Sequence, residues 1–368
     1  MKKANQSEIL LPIVIAAVLT LGGLCLCFLP APRFSASENR MLAARPDFSW
    51  QGLWQGDYTA AWERYTAERL TGREGLRAVH AAFELALGKR ESGGVMLCRD
   101  KSLAARPQIN EKLTRRNLAG IATLSNAARE MGLPCFVSIV PYRAEARSAV
   151  LPTSYHATPT KDLCAALNIG GVTPLSLSSI TDDRCWFRTD HHWTPQGAYA
   201  AYCALAPFLG YTPYAENAFE KVSVCHTFFG TGARAAGLGQ VAPDTITLWR
   251  FSGDEAYCLC KDGKAADFVG FYDFQKLDTS DGYAVFLGGN DGILTVQQTS
   301  EDTRPTLLLL RDSYAAALIP FLARHYKIVA VDPRYYHGDV TSLLGEVDRV
   351  LFLAGAVTLS ESAFFTTK

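Results

Sequence analysis

The sequence lacks an excess of either charge. Its 368 residues include 36 Lys plus Arg and 36 Asp plus Glu, so the formal net charge is zero. Without a basic stripe, the chain is not expected to bind nucleic acid. Low-complexity segments are also absent, and 48% of the residues are hydrophobic. This composition argues against a disordered chain and allows a sizeable buried core.

The cysteines lack the spacing of a metal or redox motif. None of the ten forms a Cys-x-x-Cys pair, and the scatter of those beyond residue 90 does not indicate a disulfide framework. We expect most to be small buried side chains, with one or two disulfides left open outside the cytoplasm. His-x-His and His-Glu-x-x-His spacings are missing too, so no metal is predicted.

A long hydrophobic run is present at the N-terminus. Lys2 and Lys3 precede residues 9–29, which are uncharged, mostly apolar and numerous enough to span a bilayer as a helix. The basic flank predicts a cytoplasmic tail over 1–8, a transmembrane anchor over 9–29 and an extracytoplasmic remainder. The alternative is a cleavable signal peptide, for which Ser35-Ala36-Ser37 offers small residues.

Beyond this run, the pattern is that of an α/β protein. We expect a linker over 30–57 and a domain over 58–368 that opens with two helices divided near Gly72. Predicted helices cover 109–131, 161–167, 196–209, 314–326 and 340–347, and predicted strands cover 95–97, 135–140, 172–177, 306–310, 328–331 and 350–353. This alternation predicts a mostly parallel sheet with helices on both faces.

Residues 210–300 have a different pattern. Short alternating segments suggest antiparallel strands inserted into the α/β core. The expected strands of this insertion are 245–250, 284–287 and 293–297.

The stretch RTDHHWTPQGAYAAY, residues 188–202, carries the first candidate functional group. If residues 186–192 are extended, Asp190 and His192 lean to one face, where the carboxylate can accept a hydrogen bond from one ring nitrogen. The other nitrogen is then free to act as a base. Thr194 and Pro195 are typical of the cap and first residue of a helix.

Ser313 is the candidate nucleophile. It follows a predicted strand and opens a helix, so its hydroxyl is exposed at a turn where helix N–H groups stabilise negative charge. The alternative is that Asp312 and Ser313 only cap the helix. Both the Asp190–His192 segment and Ser313 are predicted at the carboxyl ends of strands, where α/β sheets bind ligands.

The residues beside these groups have more than one interpretation. His191, His192, Asp190 and His226 are alternative candidates for zinc ligands, but adjacent histidines in a strand point apart. His191 is then a packing residue or a substrate contact. Trp193 is expected to form a wall of the cleft and to stack on carbohydrate.

Several segments resemble one family. TDHHWT with the following GAYAAY is similar to the signature of the DHHW protein family, which is related to alginate O-acetylation proteins and SGNH-type serine esterases. The other segments that carry the resemblance are SENRMLAARPDFS (37–49), FFGTGARAAG (228–237), LLLLRDSYAAALIPFLARHY (307–326) and VDPRYY (331–336).

The resemblance implies an SGNH-hydrolase-like fold with a circularly permuted motif order. Carried onto this sequence, it makes Ser313 the nucleophile, His192 the general base and Asp190 the residue that orients it. The family's asparagine oxyanion donor is missing after the third strand beyond Ser313. The candidate donors are then the backbone N–H of Gly355 and the side-chain amide of Asn290.

The implied function is a membrane-anchored O-acetyltransferase or acetylesterase that acts on a cell-envelope or exported polysaccharide, at the cell surface or in the periplasm. The resemblance suggests a membrane-bound acyltransferase as partner and implies no dissociable cofactor. Candidate substrate contacts are Trp193, His191 and Arg311. The alternative is a catalytically weak relative that binds glycan or scaffolds a polysaccharide modification or export complex.

Overall fold

The computed structural model describes residues 10, 12–14, 16–18, 20–23, 34–35, 40–70, 72–153, 155, 160, 163, 165–166, 174–237, 241–298 and 302–365. Among these residues, no helix has both the length and the apolar character needed to cross a bilayer. The predicted tail over 1–8 and much of the predicted anchor over 9–29 lie outside the described residues, so both stay predictions.

The described strands and helices are as follows. The strands are β1 (Phe34–Ser35), β2 (Arg40–Met41), β3 (Glu91–Ser92), β4 (Val95–Leu97), β5 (Leu103–Ala105), β6 (Cys135–Val140), β7 (Pro174–Ser176), β8 (Glu220–Phe228), β9 (Asp244–Arg250), β10 (Tyr257–Lys261), β11 (Lys264–Ala265), β12 (Ile293–Gln298), β13 (Thr306–Arg311), β14 (Lys327–Val331) and β15 (Arg349–Gly355). The α-helices are α1 (Trp50–Gln55), α2 (Asp57–Arg69), α3 (Arg73–Ala86), α4 (Glu111–Glu130), α5 (Arg143–Ala146), α6 (Pro195–Leu209), α7 (Thr231–Ala236), α8 (Ala315–Leu322) and α9 (Ala356–Glu361).

The central sheet has the strand order β11-β10-β12-β14-β13-β15-β6-β7. The five strands from β14 to β7 are parallel, whereas β12, β10 and β11 add an antiparallel extension to one side. The predicted mostly parallel sheet is therefore confirmed. Smaller sheets are formed by β3-β4-β5, by β8-β9 and by β1-β2.

Side-chain alternation along the central strands gives the sheet two buried faces. In β13, Leu307 and Leu309 belong to the hydrophobic cluster that includes α6 and α8. Leu308 and Leu310 belong to the opposite cluster, with buried residues of α4 and α9. The unbroken leucine run is thus explained by burial on both sides, as in other parallel sheets.

Helix boundaries follow the capping residues. The Thr194 side chain accepts a hydrogen bond from the Gly197 N–H (3.4 Å), Pro195 begins α6, and Gly210 ends it in the left-handed conformation. The Asn110 side chain caps the first turn of α4 in the same way. Gly72, with φ of 76°, separates α2 from α3, as the sequence predicts.

Other predictions about the fold were wrong in detail. Helix α1 lies inside the predicted linker over 30–57. The Ser49 side chain caps the first turn of this helix and so stabilises it. Residues 340–347 form a 3-10 helix, Thr341–Glu346, instead of an α-helix. The predicted helix over 161–167 is not among these errors, because the residues of it that the structure describes (163, 165 and 166) are all helical.

The predicted β-rich insertion over 210–300 is split between two sheets. Among the described strands, β8 and β9 pair only with each other, whereas β12 pairs with β14 and so belongs to the central sheet. The predicted strand over 284–287 overlaps a 3-10 helix, Gly282–Val285. These boundaries matter because both Tyr283 and the loop before β12 approach the candidate site.

The described cysteines form no disulfide. Two of them, Cys98 and Cys185, are buried, as expected of small apolar side chains, whereas Cys258 is exposed. The free cysteines that the structure describes are Cys98, Cys135, Cys185, Cys203, Cys225, Cys258 and Cys260.

Candidate active site

Ser313 lies at a turn between β13 and α8, at the carboxyl edge of the sheet. The fully buried Asp312 carboxylate fixes this turn. One of its oxygens accepts a hydrogen bond from the Tyr314 N–H (3.0 Å), and the other accepts one from the Gly355 N–H at the end of β15 (2.7 Å). Asp312 therefore stabilises the turn, while the half-buried Ser313 side chain does not cap the helix.

Asp190 and His192 lie in a tight loop, not in the extended segment that we expected over 186–192. Trp186 and Trp193 form an isolated antiparallel bridge that closes the loop. Within it, Asp190 Oδ1 accepts hydrogen bonds from the His192 backbone N–H (2.9 Å) and from His192 Nδ1 (2.6 Å). A local turn of this kind is one that aspartate favours, and it produces the contact that we had predicted from strand alternation.

The second ring nitrogen of His192 reaches the serine. The distance between His192 Nε2 and Ser313 Oγ is 2.7 Å, although the two residues lie 121 positions apart in the sequence. Because an ionised Asp190 only accepts hydrogen bonds, we assign the ring proton to Nδ1, which leaves Nε2 as the acceptor for the Ser313 hydroxyl. The structure thus brings together Ser313, His192 and Asp190.

The environment favours the charged form of Asp190. Burial alone would raise its pKa, but the electrostatic interactions with the His191 and His192 rings and the hydrogen bonds from His192 lower the pKa well below its usual range. An ionised carboxylate at this position fixes the orientation of the His192 ring and stabilises a positive charge on it.

Tyr283 packs against one face of the His192 ring. Its ring stacks on the His192 ring with a centroid separation of 3.8 Å and an interplanar angle of 3°. We did not predict this contact, because Tyr283 lies in a segment that we expected to precede an ordinary strand.

Thr231 is a second neighbour that the sequence analysis did not select. Its backbone N–H (2.7 Å) and its hydroxyl (3.1 Å) both donate to Asp190 Oδ2. The preceding Gly230 is buried so close to Asp190 that an added Cβ would overlap its side chain and lie 2.6 Å from its Cα. The Gly-Thr pair within residues 228–237 was the signal that could have identified these contacts.

Asp244 and Arg143 hold the start of the loop. Asp244 accepts hydrogen bonds from the backbone N–H groups of Arg188 and Thr189 (2.7 Å each) and from the Thr189 hydroxyl (2.5 Å). The buried Arg143 donates to the Phe187 carbonyl (3.0 Å) and to the Leu103 carbonyl. Both residues are distant in the sequence, and no local pattern indicates either role.

The two candidate oxyanion donors differ in whether they are free to donate a hydrogen bond. The N–H of Gly355 already donates to Asp312 (2.7 Å), so the prediction of Gly355 as a donor was wrong. Asn290 is exposed, and its Oδ1 accepts a hydrogen bond from Arg311 Nη1 (3.0 Å). The NH₂ group of its side chain is left available to donate. Within the described chain, the Ser313 backbone N–H has no hydrogen-bond partner.

The three candidate substrate contacts also differ. Trp193 is fully buried, with its indole N–H donating to the Tyr314 carbonyl (2.9 Å), so it packs and does not face a cleft. Arg311 is fully buried as well, and the prediction that it touches substrate was wrong for the same reason. His191 is 35% exposed and remains a candidate.

His191 contacts the Thr231 hydroxyl through Nδ1 (2.8 Å). Burial of the ring and the charge of His192 lower the pKa of His191 to about 4, although Asp190 acts in the opposite direction. The exposed part of His191 is therefore a neutral hydrogen-bonding group at pH 7.

Asp190, His191 and His192 also bring three possible metal-ligand atoms within 4.8 Å of one another. However, both His192 nitrogens are already bonded to Asp190 and Ser313, and Asp190 Oδ2 is bonded to Thr231. A metal ion would have to displace these hydrogen bonds. The fourth candidate, His226, lies in β8 and contacts Thr245.

These features define a class: a mixed α/β protein whose mostly parallel sheet carries a hydrogen-bonded serine, histidine and aspartate near its carboxyl edge. The model of the DHHW protein family matches residues 168–332, which include all three of these residues. The resemblance to that family predicted from the sequence is therefore confirmed. No curated protein matches the sequence.

Solved structures share the fold. A DHHW family protein from Eubacterium siraeum has a TM-score of 0.61 and 20% identity, over 76% of this chain and 98% of that one. Bacillus cereus PatB1 with a sulfonyl adduct has a TM-score of 0.60 and 18% identity, over 74% of this chain and 97% of that one. At such identities the similarity concerns the fold.

Proposed function

We propose that the protein is a serine-dependent acyl transferase or esterase of the SGNH-like type with a permuted motif order. The observation that carries the proposal is the chain of hydrogen bonds from Ser313 Oγ to His192 Nε2 and from His192 Nδ1 to Asp190. Nucleophile, base and orienting carboxylate at these distances are what acyl transfer through a serine requires.

In the proposed reaction, His192 Nε2 takes the Ser313 proton while Oγ attacks the carbonyl carbon of an acetyl ester. The tetrahedral intermediate collapses as His192 returns the proton to the leaving alcohol, which leaves an acetyl ester on Ser313. His192 then deprotonates an incoming hydroxyl, whose oxygen attacks the acetyl carbon. As the bond between that carbon and Ser313 Oγ breaks, His192 returns the proton to Oγ and the free serine is regenerated. The incoming hydroxyl belongs to a sugar in a transferase and to water in an esterase.

Two groups are available to stabilise the oxyanion. The Ser313 backbone N–H lacks a protein partner in the described chain, and the amide of Asn290 has its oxygen, not its nitrogen, engaged by Arg311. We propose these two groups as the donors. Loss of one such donor in other enzymes reduces kcat by about 100-fold or more.

The substrate class and the location come from the resemblance to the DHHW family. We propose an acetylated cell-envelope or exported polysaccharide as substrate, an N-terminal membrane anchor and an extracytoplasmic domain. A membrane-bound acyltransferase would supply the acetyl groups. The partly exposed, neutral His191 is the proposed contact for a sugar hydroxyl.

The test compares the purified full-length protein with Ser313→Ala and with the matched control Ser342→Ala, using a chromogenic acetyl ester. Ser342 is exposed and hydrogen-bonded to the Asp339 carbonyl. We expect at least a 1,000-fold loss of kcat in Ser313→Ala and none in the control. Because PatB1 has been described with a sulfonyl adduct, a sulfonyl fluoride should also label the wild type at Ser313. Equal esterase rates in wild type and Ser313→Ala would contradict the proposal.

A binding or scaffolding role is the second candidate. It is favoured by one observation, the engagement of the Gly355 N–H by Asp312, which removes an expected oxyanion donor. A protein of this kind would bind acetylated oligosaccharide with the same Kd in wild type and Ser313→Ala and would hydrolyse no ester. Activity that a chelator removes and Ser313→Ala retains would instead indicate a metal-dependent reaction.

A further inference from the structure

Arg311 is the last residue of β13 and precedes Asp312 and Ser313. Its side chain is fully buried. Nη1 donates to Asn290 Oδ1 (3.0 Å), while Nε and Nη2 form no hydrogen bond with the described part of the chain. Within the described chain, this buried guanidinium therefore forms a single hydrogen bond, and its partner is the residue proposed as an oxyanion donor.

This arrangement is a poor one for stability. A buried charge favours folding only when it is well paired, and the neighbouring carboxylates are engaged elsewhere. Asp332 forms a two-pronged ion pair with Arg334 (2.9 and 2.7 Å), and Asp291 pairs with Lys261 (3.1 Å). The charges of Asp332, Asp291 and Asp312 favour the charged form of Arg311, but within the described chain none of these carboxylates accepts a hydrogen bond from its guanidinium.

The contact fixes the orientation of the Asn290 side chain. A guanidinium can only donate hydrogen bonds, so the amide oxygen must face Arg311. The amide nitrogen, with its two N–H groups, then lies on the opposite side of the side chain. Without Arg311, the amide could rotate and present its oxygen, which would repel a developing oxyanion.

The backbone before Asn290 is held in an unusual conformation. Leu287, Gly288 and Gly289 all have positive φ angles, of 63°, 73° and 102°, and Leu287 is a fully buried side chain for which such an angle is rare. Conformations of this kind persist where the surroundings enforce them, commonly at functional sites. Here the Phe271 carbonyl and Lys261 Nζ hold the two backbone polar groups of Leu287 (2.9 Å each).

One contact and the strand register place this loop at the edge of the sheet that carries the candidate active site. Tyr283, four residues before Leu287, stacks on His192. At the other end, the loop leads into β12, which begins opposite Val331 at the carboxyl end of β14. Asn290 therefore belongs to the same sheet edge as Ser313.

We propose that Arg311 is a positioning residue that holds the Asn290 amide with its N–H groups toward the oxyanion. The inference rests on the proposed acyl-transfer function and adds a role for a buried arginine. Because Arg311 acts through Asn290, removing both should harm catalysis no more than removing Asn290 alone.

The experiment is a double-mutant cycle on the full-length protein with the chromogenic ester. We expect Arg311→Met and Asn290→Ala each to lower kcat by about 100-fold with little change in KM, and the double variant to be within about twofold of Asn290→Ala. Arg311→Lys, which retains a donor, should recover part of the lost kcat. Independent effects that multiply in the double variant, or an unchanged kcat in Arg311→Met, would overturn the proposal.

Two further measurements separate other failures. If Arg311→Met does not fold, Asn290→Asp provides a second test, because it keeps an acceptor for Arg311 but lacks the amide donor. This variant should fold and should lose kcat as Asn290→Ala does. Full activity in Asn290→Asp would refute the inference. If the wild type hydrolyses no ester, the proposed function fails first. The ¹⁵N resonance of the Asn290 side-chain amide, identified by its loss in Asn290→Ala, still reports the contact. This resonance should shift in Arg311→Lys, and an unchanged resonance would refute the inferred contact between Arg311 and Asn290.

Discussion

The two sides of the candidate site are built by different means. On the serine side, a regular strand, β13, runs into a regular helix, α8, and the Asp312 carboxylate ties the intervening turn to Tyr314 and Gly355. On the histidine side, residues 187–192 have no regular structure. Their position depends on hydrogen bonds with Arg143, Thr231 and Asp244, which lie 41 to 56 positions away in the chain.

The difference concerns how much each side relies on single contacts. A β–α turn is positioned by the packing of two elements, and both faces of β13 are buried among leucines and other apolar residues. The histidine loop is positioned by buried polar groups, and removal of one partner leaves the other unsatisfied, at about 1–3 kcal/mol. Substitution of a polar group that positions the histidine should therefore lower kcat more than substitution of a polar group that positions the serine.

The largest effect is expected for Asp190→Asn. The amide keeps the size of the carboxylate but can stabilise the wrong tautomer of His192, with the proton on Nε2. We expect kcat for ester hydrolysis to fall by about 10,000-fold, as in other triads of this geometry, with KM nearly unchanged. Asp183→Asn, at an exposed aspartate in the 3-10 helix Asp183–Cys185 before the loop, is the matched control and should retain full activity.

Asp190→Asn also changes the pH dependence of stability. The pKa of Asp190 is lowered in the folded protein, so its contribution is complete above the unfolded value of about 3.9 and is lost as the pH falls through the folded value. Urea denaturation at pH 7 and pH 3 should show a smaller acid-induced loss in the variant than in the wild type. An equal loss would indicate that Asp190 is not held as an ion.

The serine side could be predicted from the sequence because its determinants are local. A run of buried leucines followed by Asp312, Ser313 and an apolar helix identifies a strand, a turn and a helix from adjacent residues. Helix α6 was predictable for the same reason, through Thr194 and Pro195. The contact between Asp190 and His192 was predicted correctly from an incorrect local conformation, because a turn and a strand both allow residues two apart to meet.

The rest of the histidine side depends on long-range contacts. Nothing near Asp244 or Arg143 in the sequence indicates that they hold residues 187–189, and the stacking of Tyr283 on His192 joins segments 91 positions apart. The sequence also did not indicate which side chains near the site are buried. An aromatic side chain next to a histidine suggested a cleft wall at Trp193, whereas the fold places that ring in the core.

A second test of the histidine side is Gly230→Ala. The added methyl group would overlap the Asp190 side chain, although the backbone conformation of Gly230, with φ of −76°, suits alanine. We expect a loss of about 1–3 kcal/mol of stability from overpacking and, because Asp190 must shift, about a 100-fold loss of kcat.

The matched control is Gly345→Ala, where an added Cβ meets nothing within 4 Å. Both variants can be compared by thermal denaturation and ester hydrolysis. A normal kcat in Gly230→Ala would mean that the loop tolerates displacement of Asp190. The claim that the histidine side depends more on single contacts than the serine side would then be wrong.

The smallest effect is expected on the serine side, for Asp312→Asn. One carboxylate oxygen becomes an NH₂ group, so either the Tyr314 N–H or the Gly355 N–H loses its acceptor, and stability should fall by about 1–3 kcal/mol. Since β13 and α8 still position Ser313, kcat should fall by less than tenfold. Asp348→Asn is the control, because its carboxylate accepts from the Thr306 N–H at the opposite end of β13 (2.7 Å). If Asp312→Asn lost as much activity as Asp190→Asn while remaining folded, the serine would depend on a single polar contact just as the histidine does.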